Sequence, residues 1–273
     1  MMKRNWQLYT LALMLFWSVT AFSAQGNKAG QSVIDSAVQR GTLRVGVSAF
    51  VPWVMKGRNG ELVGYEIDVA RRLGKDLGVA VEFVSTPWDK MIPSLLANRF
   101  DVVISGMTLN TTRNLKVNFS IPYSHSGVRI VANRKLAKGF EGIEWFNREA
   151  VTLAMIRGSS VIALAEKLLP RSRVAVFDDE SRALQEVIQG RAHAMLASTP
   201  FPEHSAARYP DDLFVPVERR LHRTSEAFAV RKGDVDTLNV LNNWILQRLE
   251  DGWLQDRHDY WFTTLEWKKQ VSH

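Results

Sequence analysis

Cysteine is absent from this chain of 273 residues. Its absence excludes disulfide bonds, cysteine-ligated zinc, thiol nucleophiles and a lipid anchor on an amino-terminal cysteine. The sequence also lacks three motifs of well-known enzyme classes, namely G-x-S-x-G, G-x-x-x-x-G-K-[ST] and H-E-x-x-H. Its histidines show no spacing typical of metal ligands. We therefore predict no catalytic residue, no metal site and no cofactor.

Clustered positive charge is missing as well, although the formal net charge is +7. The basic residues are scattered, and the densest group is Arg219, Arg220 and Arg223. Nucleic-acid binding requires basic residues concentrated on one face with interleaved aromatic side chains, so we do not expect it here. A modest positive field is still suited to attracting anionic ligands.

Long apolar runs are confined to the amino terminus. Lys3 and Arg4 precede an apolar stretch at 8–22, and small residues surround Ser23. This order is typical of a secretory signal peptide, and we predict that residues 1–23 are removed. A membrane anchor is the alternative, but the stretch is short for a span and no later segment approaches about 18 apolar residues. The mature protein is therefore expected in the periplasm.

Hydrophobic patterns predict alternating strands and helices in two successive runs. The first run has helices at 33–40, 66–77 and 89–97 and strands at 41–47, 79–84 and 101–105. The second run has strands at 151–156, 174–177 and 192–196, a helix ending at Leu168 and a helix at 181–190. Such alternation favours parallel sheets with crossover helices. We predict an α/β fold of two similar lobes, followed by a helical tail at 235–262.

Small polar residues follow the predicted strands, at the carboxyl ends where open α/β sheets bind ligands. Ser105, Gly106 and Thr108 follow one strand, with Arg113 shortly beyond, and Gly158-Ser159-Ser160 follows a strand of the second run. Arginine offers a fork of N–H donors to a carboxylate, and a helix start adds backbone N–H groups. The set predicts a carboxylate-binding cleft. Taken singly, a surface salt bridge for Arg113 and a helix cap for Ser159 remain open.

An acidic run, Asp178-Asp179-Glu180, precedes the predicted helix at 181–190. Acidic side chains in this place interact favourably with the positive end of the helix dipole. We interpret the run as helix capping and not as a catalytic group.

One long stretch of the sequence resembles a known family. The segment GELVGYEIDVARRLGKDLG (60–78) is similar to the signature of family 3 extracellular solute-binding proteins, and the similarity continues through 87–127. It resumes more loosely at 158–160, 190–200 and 226–234. The resemblance implies a receptor for an amino acid or an amino-acid-like small carboxylate, working with an inner-membrane ABC permease. It also implies that the protein is a monomer and that it is not an enzyme.

The resemblance implies a two-lobed periplasmic-binding-protein fold, in which each lobe is a mostly parallel sheet flanked by helices. Lobe 1 would comprise residues 34–123 and 227–273, and lobe 2 would comprise residues 128–221. Two hinge segments, near 123–127 and 222–226, would join the lobes and let them close on the ligand.

Ligand contacts are also implied position by position. Arg113 stands where the family's arginine binds the α-carboxylate, and Gly106 and Thr108 stand where a loop binds the carboxylate and the amino group. Ser105 belongs to the same loop. The other implied contacts cover the ligand side chain or open the lobe 2 helix, and they are Phe50, Trp88, Ile156, Arg157, Ser159 and Ser160.

One position departs from the family pattern. The family usually has an aspartate that binds the α-ammonium where this chain has Ser198, and His193 replaces a second acid nearby. A buried ammonium without its carboxylate costs about 3–5 kcal/mol. Either another acid, Glu226 or Glu203, reaches the site, or the ligand lacks a free ammonium.

Two other functions share this type of fold. A periplasmic cyclohexadienyl dehydratase, acting on prephenate or arogenate, is the alternative that the resemblance leaves open. Its catalytic glutamate would fall at Val161, and valine cannot donate a proton to a leaving hydroxyl. The sensor lobe of a receptor kinase would need a transmembrane helix and a cytoplasmic domain, and we predict neither.

Overall fold

The computed structural model describes residues 31–264 and 266–271. The predicted signal peptide, residues 1–23, lies outside this range. None of the helices within it is both long and apolar enough to cross a membrane.

The structure alternates strands and helices along most of the chain. The strands are β1 (Thr42–Val47), β2 (Met55–Lys56), β3 (Leu62–Val63), β4 (Ala80–Ser85), β5 (Val102–Val103), β6 (Asn118–Phe119), β7 (Ser124–Asn133), β8 (Thr152–Ile156), β9 (Arg173–Phe177), β10 (Ala194–Ser198), β11 (Leu213–Phe214), β12 (His222–Glu226) and β13 (Ala229–Val230). The α-helices are α1 (Val33–Arg40), α2 (Tyr65–Leu77), α3 (Met91–Leu96), α4 (Thr111–Asn114), α5 (Ser160–Leu168), α6 (Glu180–Ile188), α7 (Phe201–Arg208), α8 (Val235–Glu250) and α9 (Trp253–Phe262). Short 3₁₀ helices lie at Trp88–Lys90, Ile143–Phe146 and Glu266–Gln270.

The first sheet has the strand order β4-β1-β5-β13-β6. Its strands β4 and β5 run parallel to β1, whereas β13 is antiparallel to β5 and β6. Helices α1, α2 and α3 contact this sheet, and α8 and α9 pack on α1 and α2. The helical tail therefore returns to complete the first lobe.

The second sheet has the strand order β11-β7-β10-β8-β9, with β12 also paired to β7. Strands β8, β9 and β10 are parallel, and β7 is antiparallel to its neighbours. Along β8, Leu153 and Met155 join one apolar cluster and Ala154 joins another. Because successive side chains of a strand point to opposite faces, this sheet is buried on both sides.

A ladder of β7 and β12 lies where the chain passes between the two sheets. Ser124 pairs with Glu226 at one end of the ladder, and Val128 pairs with His222 at the other. The hinges predicted at 123–127 and 222–226 fall on this ladder, and the lobe boundaries remain predictions.

The ladder begins at a group of buried acids. Tyr123 Oη donates to the Glu66 carboxylate at 2.7 Å, and burial raises the pKa of Glu66 to about 8. Glu226 accepts hydrogen bonds from the hydroxyls of Ser126 and Thr224, and burial raises its pKa to about 7. Two carboxyl groups held in a low-dielectric environment therefore mark the crossing between the lobes.

Most predicted elements agree with the structure to within a few residues. Helix α1 has the predicted bounds, and α2 begins one residue before the predicted start at 66. The helix predicted at 89–97 is divided into a 3₁₀ turn and α3. The strand predicted at 101–105 is shorter, because Ser105 leaves the ladder and its side chain binds the Ser48 N–H.

We expect the stability of the protein to fall as the pH rises from about 5 to about 8. The folded protein holds protons on buried carboxyls such as Glu66, whose pKa rises from 4.5 to about 8, so ionisation opposes folding in this window. Glu66→Gln should make the decline less steep by roughly 1 kcal/mol per pH unit. Urea unfolding at several pH values measures this slope. The exposed Glu61→Gln is the control, and equal slopes in Glu66→Gln and wild type would contradict the prediction.

Candidate functional site

A cavity of about 550 Å³ lies between the carboxyl ends of strands from both sheets. Ser48 follows β1, Thr86 follows β4 and Gly106 follows β5. Ile156 ends β8 and Ser198 ends β10 on the opposite side. The position agrees with the general rule that α/β sheets bind ligands at these ends.

The start of helix α5 opens onto this cavity. Ser159 stands at the N-cap with an extended backbone, but its side chain makes no capping hydrogen bond. Ser159 lines the cavity, and its Oγ is buried with no hydrogen-bond partner among the described residues. The first N–H groups of a helix lack intrahelical acceptors and carry a partial positive charge, so this end of the cavity is suited to an anion.

Arg113 lies across the gap between the two lobes. Its Nη1 donates to the Thr108 carbonyl at 2.9 Å, and its Nη2 donates to the Gly158 carbonyl at 3.2 Å. Burial lowers its pKa to about 10, and no carboxylate of the described residues pairs with it. A guanidinium in this environment lacks the anion that would compensate its desolvation.

Aromatic rings form the wall next to Arg113. The guanidinium lies 5.5 Å from the centroid of the Trp88 ring. The rings of Phe50 and Trp88 meet edge to face at 6.0 Å, and both line the cavity. Arginine stacked on tryptophan has less rotational freedom, so Trp88 orients the fork as well as shaping the wall.

The loop after β5 requires a glycine. Gly106 has a φ of 59°, and a Cβ there would stand 2.8 Å from the Phe50 ring and 3.0 Å from the Trp53 ring. Thr108 also lines the cavity, and its backbone bridges to Glu226. The loop is therefore held between the aromatic wall and the hinge ladder.

A buried carboxyl group, Glu180, faces the cavity from the first turn of α6. Glu180 is 6% exposed, and its Oε2 accepts the Val51 N–H at 3.2 Å. Burial raises its pKa to about 8. Asp179 caps α6, as the acidic run predicted, but Glu180 is placed in the cavity instead. The place of Glu180 in the cavity is not predicted from the sequence, because a helix cap already explains the acidic run. Its position after the end of strand β9 is the signal that could have indicated it.

Eight of the predicted contact residues lie in the cavity lining, and three lie outside it. Those in the cavity lining are Phe50, Trp88, Gly106, Thr108, Ile156, Ser159, Ser160 and Ser198. Ser105 lies beneath the lining, fully buried. Arg113 lies at its edge against Thr108 and Trp88. Arg157 points to an exposed ion pair with Asp178 at 3.0 Å. The roles of all these residues in binding remain predictions.

Neither acid proposed to replace the missing aspartate is in the cavity lining. Glu226 is bound within the hinge ladder by Ser126 and Thr224. Glu203 pairs with Arg129 at 3.0 Å. Val161, the position of the catalytic glutamate in the alternative function, does line the cavity. Residues 31–264 and 266–271 contain no group of three or more acidic or histidine side chains placed to hold a metal ion.

Comparisons with known proteins identify the family. The model of bacterial extracellular solute-binding proteins, family 3, matches residues 43–264. The L-cystine-binding protein TcyJ of Escherichia coli is 29% identical over 253 residues, which are 92% of this chain and 92% of that protein. The cyclohexadienyl dehydratase of Pseudomonas aeruginosa is 24% identical over 247 residues, which are 90% of this chain and 91% of that protein.

A solved structure shows the same architecture. The crystal structure of the ancestral amino acid-binding protein AncCDT-1, a precursor of cyclohexadienyl dehydratase, is 38% identical in sequence. It superposes with a TM-score of 0.76 and covers 85% of this chain and 99% of that chain. The predicted two-lobed α/β fold is thereby confirmed.

Proposed function

This chain belongs to family 3 of the bacterial extracellular solute-binding proteins, and we propose that it is the periplasmic receptor of an ABC importer. Its ligand is an amino acid or an amino-acid-like small carboxylate. The proposal rests on the environment of Arg113. Its guanidinium lies at the edge of the cavity, and its protein partners are the carbonyls of Thr108 and Gly158. An anionic ligand supplies the missing counter-charge.

The carboxylate of the ligand is held from both lobes. Arg113 offers a planar fork of donors from lobe 1, which matches the two oxygens of a carboxylate. The start of α5 offers backbone N–H groups from lobe 2, together with the Ser159 hydroxyl, which has no partner within residues 31–264 and 266–271. Donors on both sides of one anion favour the closed arrangement of the lobes, because only that arrangement gives the anion all of its hydrogen bonds.

The rest of the ligand occupies the space between the aromatic wall and lobe 2. A cavity of about 550 Å³ suits a small molecule of amino-acid size. Phe50 and Trp88 cover the apolar part of the ligand, and they also offer ring faces to a cation. The hinges are the segments 123–127 and 222–226, which meet in the β7–β12 ladder and connect the lobes without crossing the cavity.

The cellular setting follows from the family and the sequence. The predicted signal peptide delivers the mature chain to the periplasm, where a chain without cysteine needs no disulfide. There the receptor works as a monomer and passes its ligand to an inner-membrane ABC permease. The E. coli relative named for L-cystine and the ancestral amino acid-binding protein support this choice.

A second candidate function is a cyclohexadienyl dehydratase. The presence of the Glu180 carboxyl group in the cavity lining favours it. The sequence suggested that no general acid stands in the cavity, since Val161 occupies the implied position. Glu180, however, is a carboxyl group in the lining with a pKa raised to about 8 by burial. Such a group is protonated at neutral pH and is able to donate a proton to a leaving hydroxyl.

Arg113→Ala should weaken binding of the ligand by about 100-fold, because it removes a charge-assisted fork from a carboxylate. Arg113→Lys should recover only part of the loss, since an ammonium cannot make the paired contacts. A thermal-shift screen of amino acids, keto acids, betaines and other small carboxylates first identifies the ligand. Calorimetric titration then compares the variants with wild type. The exposed Arg99→Ala is the control, and wild-type affinity in Arg113→Ala would refute the role.

The receptor proposal predicts that prephenate and arogenate are not converted. Purified protein is incubated with each compound, and product formation is followed by absorbance against an enzyme-free control. Turnover that is lost in Glu180→Gln would replace the receptor function with the dehydratase function. No turnover by wild-type protein that binds an amino acid would exclude the second candidate.

A further inference from the structure

Three carboxylates on one segment line the cavity, and each has different partners. Asp179 accepts a hydrogen bond at 2.8 Å from a backbone N–H in the first turn of α6, which it caps. Asp178 accepts from Arg157 Nε at 3.0 Å on the exposed side. Glu180 is nearly fully buried, and Val51 N–H is its one hydrogen-bond donor among the described residues. Glu180 is therefore the one buried carboxylate of this segment, and its Oε1 has no hydrogen-bond partner among the described residues.

Glu180 lies where the two lobes contact each other, and it is hydrogen-bonded across that contact. Glu180 belongs to lobe 2, whereas Val51 belongs to lobe 1 and follows Phe50 of the aromatic wall. Ser198 lies in the same cavity lining. The charged groups of the lining and its edge are Asp178, Asp179, Lys56 on β2, Arg113 on α4 and Arg157, which pairs with Asp178. Of these, Asp179 acts most on Glu180, and it repels a negative charge there.

We propose that Glu180 binds the α-ammonium of the ligand, in place of the aspartate that this chain lacks at position 198. The proposal rests on the receptor function proposed above and names the class of ligand. The ligand is a zwitterion with a free α-amino group, and its carboxylate contacts Arg113 and the start of α5. Glu180 is then a specificity-determining residue that separates amino acids from keto acids, hydroxy acids and betaines.

The electrostatic reason is that each charge compensates the other. A buried carboxylate without a cation pays a desolvation penalty, and burial accordingly raises the pKa of Glu180 to about 8. A buried ammonium without an acid has the same kind of penalty. Bringing the two together offsets part of both penalties, because the attraction between the charges opposes the cost of desolvating each. Ser198 can accept a hydrogen bond but cannot compensate the charge.

Binding should therefore release a proton. At neutral pH Glu180 is protonated in the arrangement that the structure shows, where Val51 of the other lobe covers it, and the incoming ammonium favours its ionised form. The affinity for an amino acid should rise as the pH approaches about 8 and should fall again at more alkaline pH, where the α-ammonium of the free ligand loses its proton. Calorimetry in buffers with different ionisation enthalpies should report about one proton released per ligand at pH 7.

The test compares Glu180→Gln with wild type against matched pairs of ligands. Each pair is L-arginine, L-lysine, L-glutamine or L-cystine together with its counterpart lacking the α-amino group. Wild type should prefer the amino acid of a bound pair by about 100-fold. Glu180→Gln should lose this preference and the proton release. Glu186→Gln, which removes an acid from the outer side of the same helix, should keep both.

Folding of the variant is controlled by its thermal unfolding without ligand. Glutamine retains an oxygen that accepts the Val51 N–H and has nearly the volume of a protonated glutamic acid, so Glu180→Gln should unfold at the wild-type temperature. Should the variant not fold, the proton release of wild type decides the matter, because it should accompany binding of the amino acid and not of the counterpart that lacks the α-amino group. A binding enthalpy that is independent of the buffer at pH 7 would overturn the proposal.

Failure of this inference is distinguishable from failure of the receptor function. Equal affinity of Glu180→Gln and wild type for an amino acid would overturn the role of Glu180 while the receptor function stands. The same holds if wild type binds the counterparts without an amino group as tightly as the amino acids. If wild type binds none of the carboxylates in either set or in the wider screen, both proposals fail.

Discussion

A guanidinium without an acidic partner among the described residues is the constraint on which the whole site depends. Arg113 lies over Trp88 and donates to two backbone carbonyls, one from each lobe, at Thr108 and Gly158. Carbonyl dipoles only partly replace the water that burial removes from a positive charge. The uncapped start of α5 adds a second positive potential on the opposite wall. Both features are costly in the protein alone and become favourable when a carboxylate lies between them.

Charges of opposite sign meet in one small cavity. The donors at Arg113 and Ser159 suit an anion, whereas Glu180 suits a cation, and the aromatic wall of Phe50 and Trp88 adjoins both. A zwitterion satisfies these demands together, and a molecule with a single charge leaves one of them unmet. In this chain the same carboxyl group underlies both candidate functions. An ionised Glu180 would bind an ammonium, and a protonated one would serve as an acid.

Much of the fold was predictable, because strand and helix periodicities are local properties of the chain. The strand-end rule and the family resemblance located Gly106, Thr108 and Ser159 at the cavity. The ladder of β7 and β12 was not predicted as strands, since residues 222–226 are all polar and show no alternation of apolar and polar side chains. Glu180 was missed for a related reason. Its partner Val51 belongs to the other lobe, and a carboxylate at a helix start has a sufficient local explanation as a cap.

A crystal structure of the protein with the amino acid that binds it most tightly would test this site most directly. The ligand carboxylate should lie within about 3 Å of the Arg113 guanidinium and of N–H groups at the start of α5. The ammonium should lie beside Glu180. A ligand carboxylate that contacts neither Arg113 nor α5 would show that the unpaired guanidinium does not determine binding.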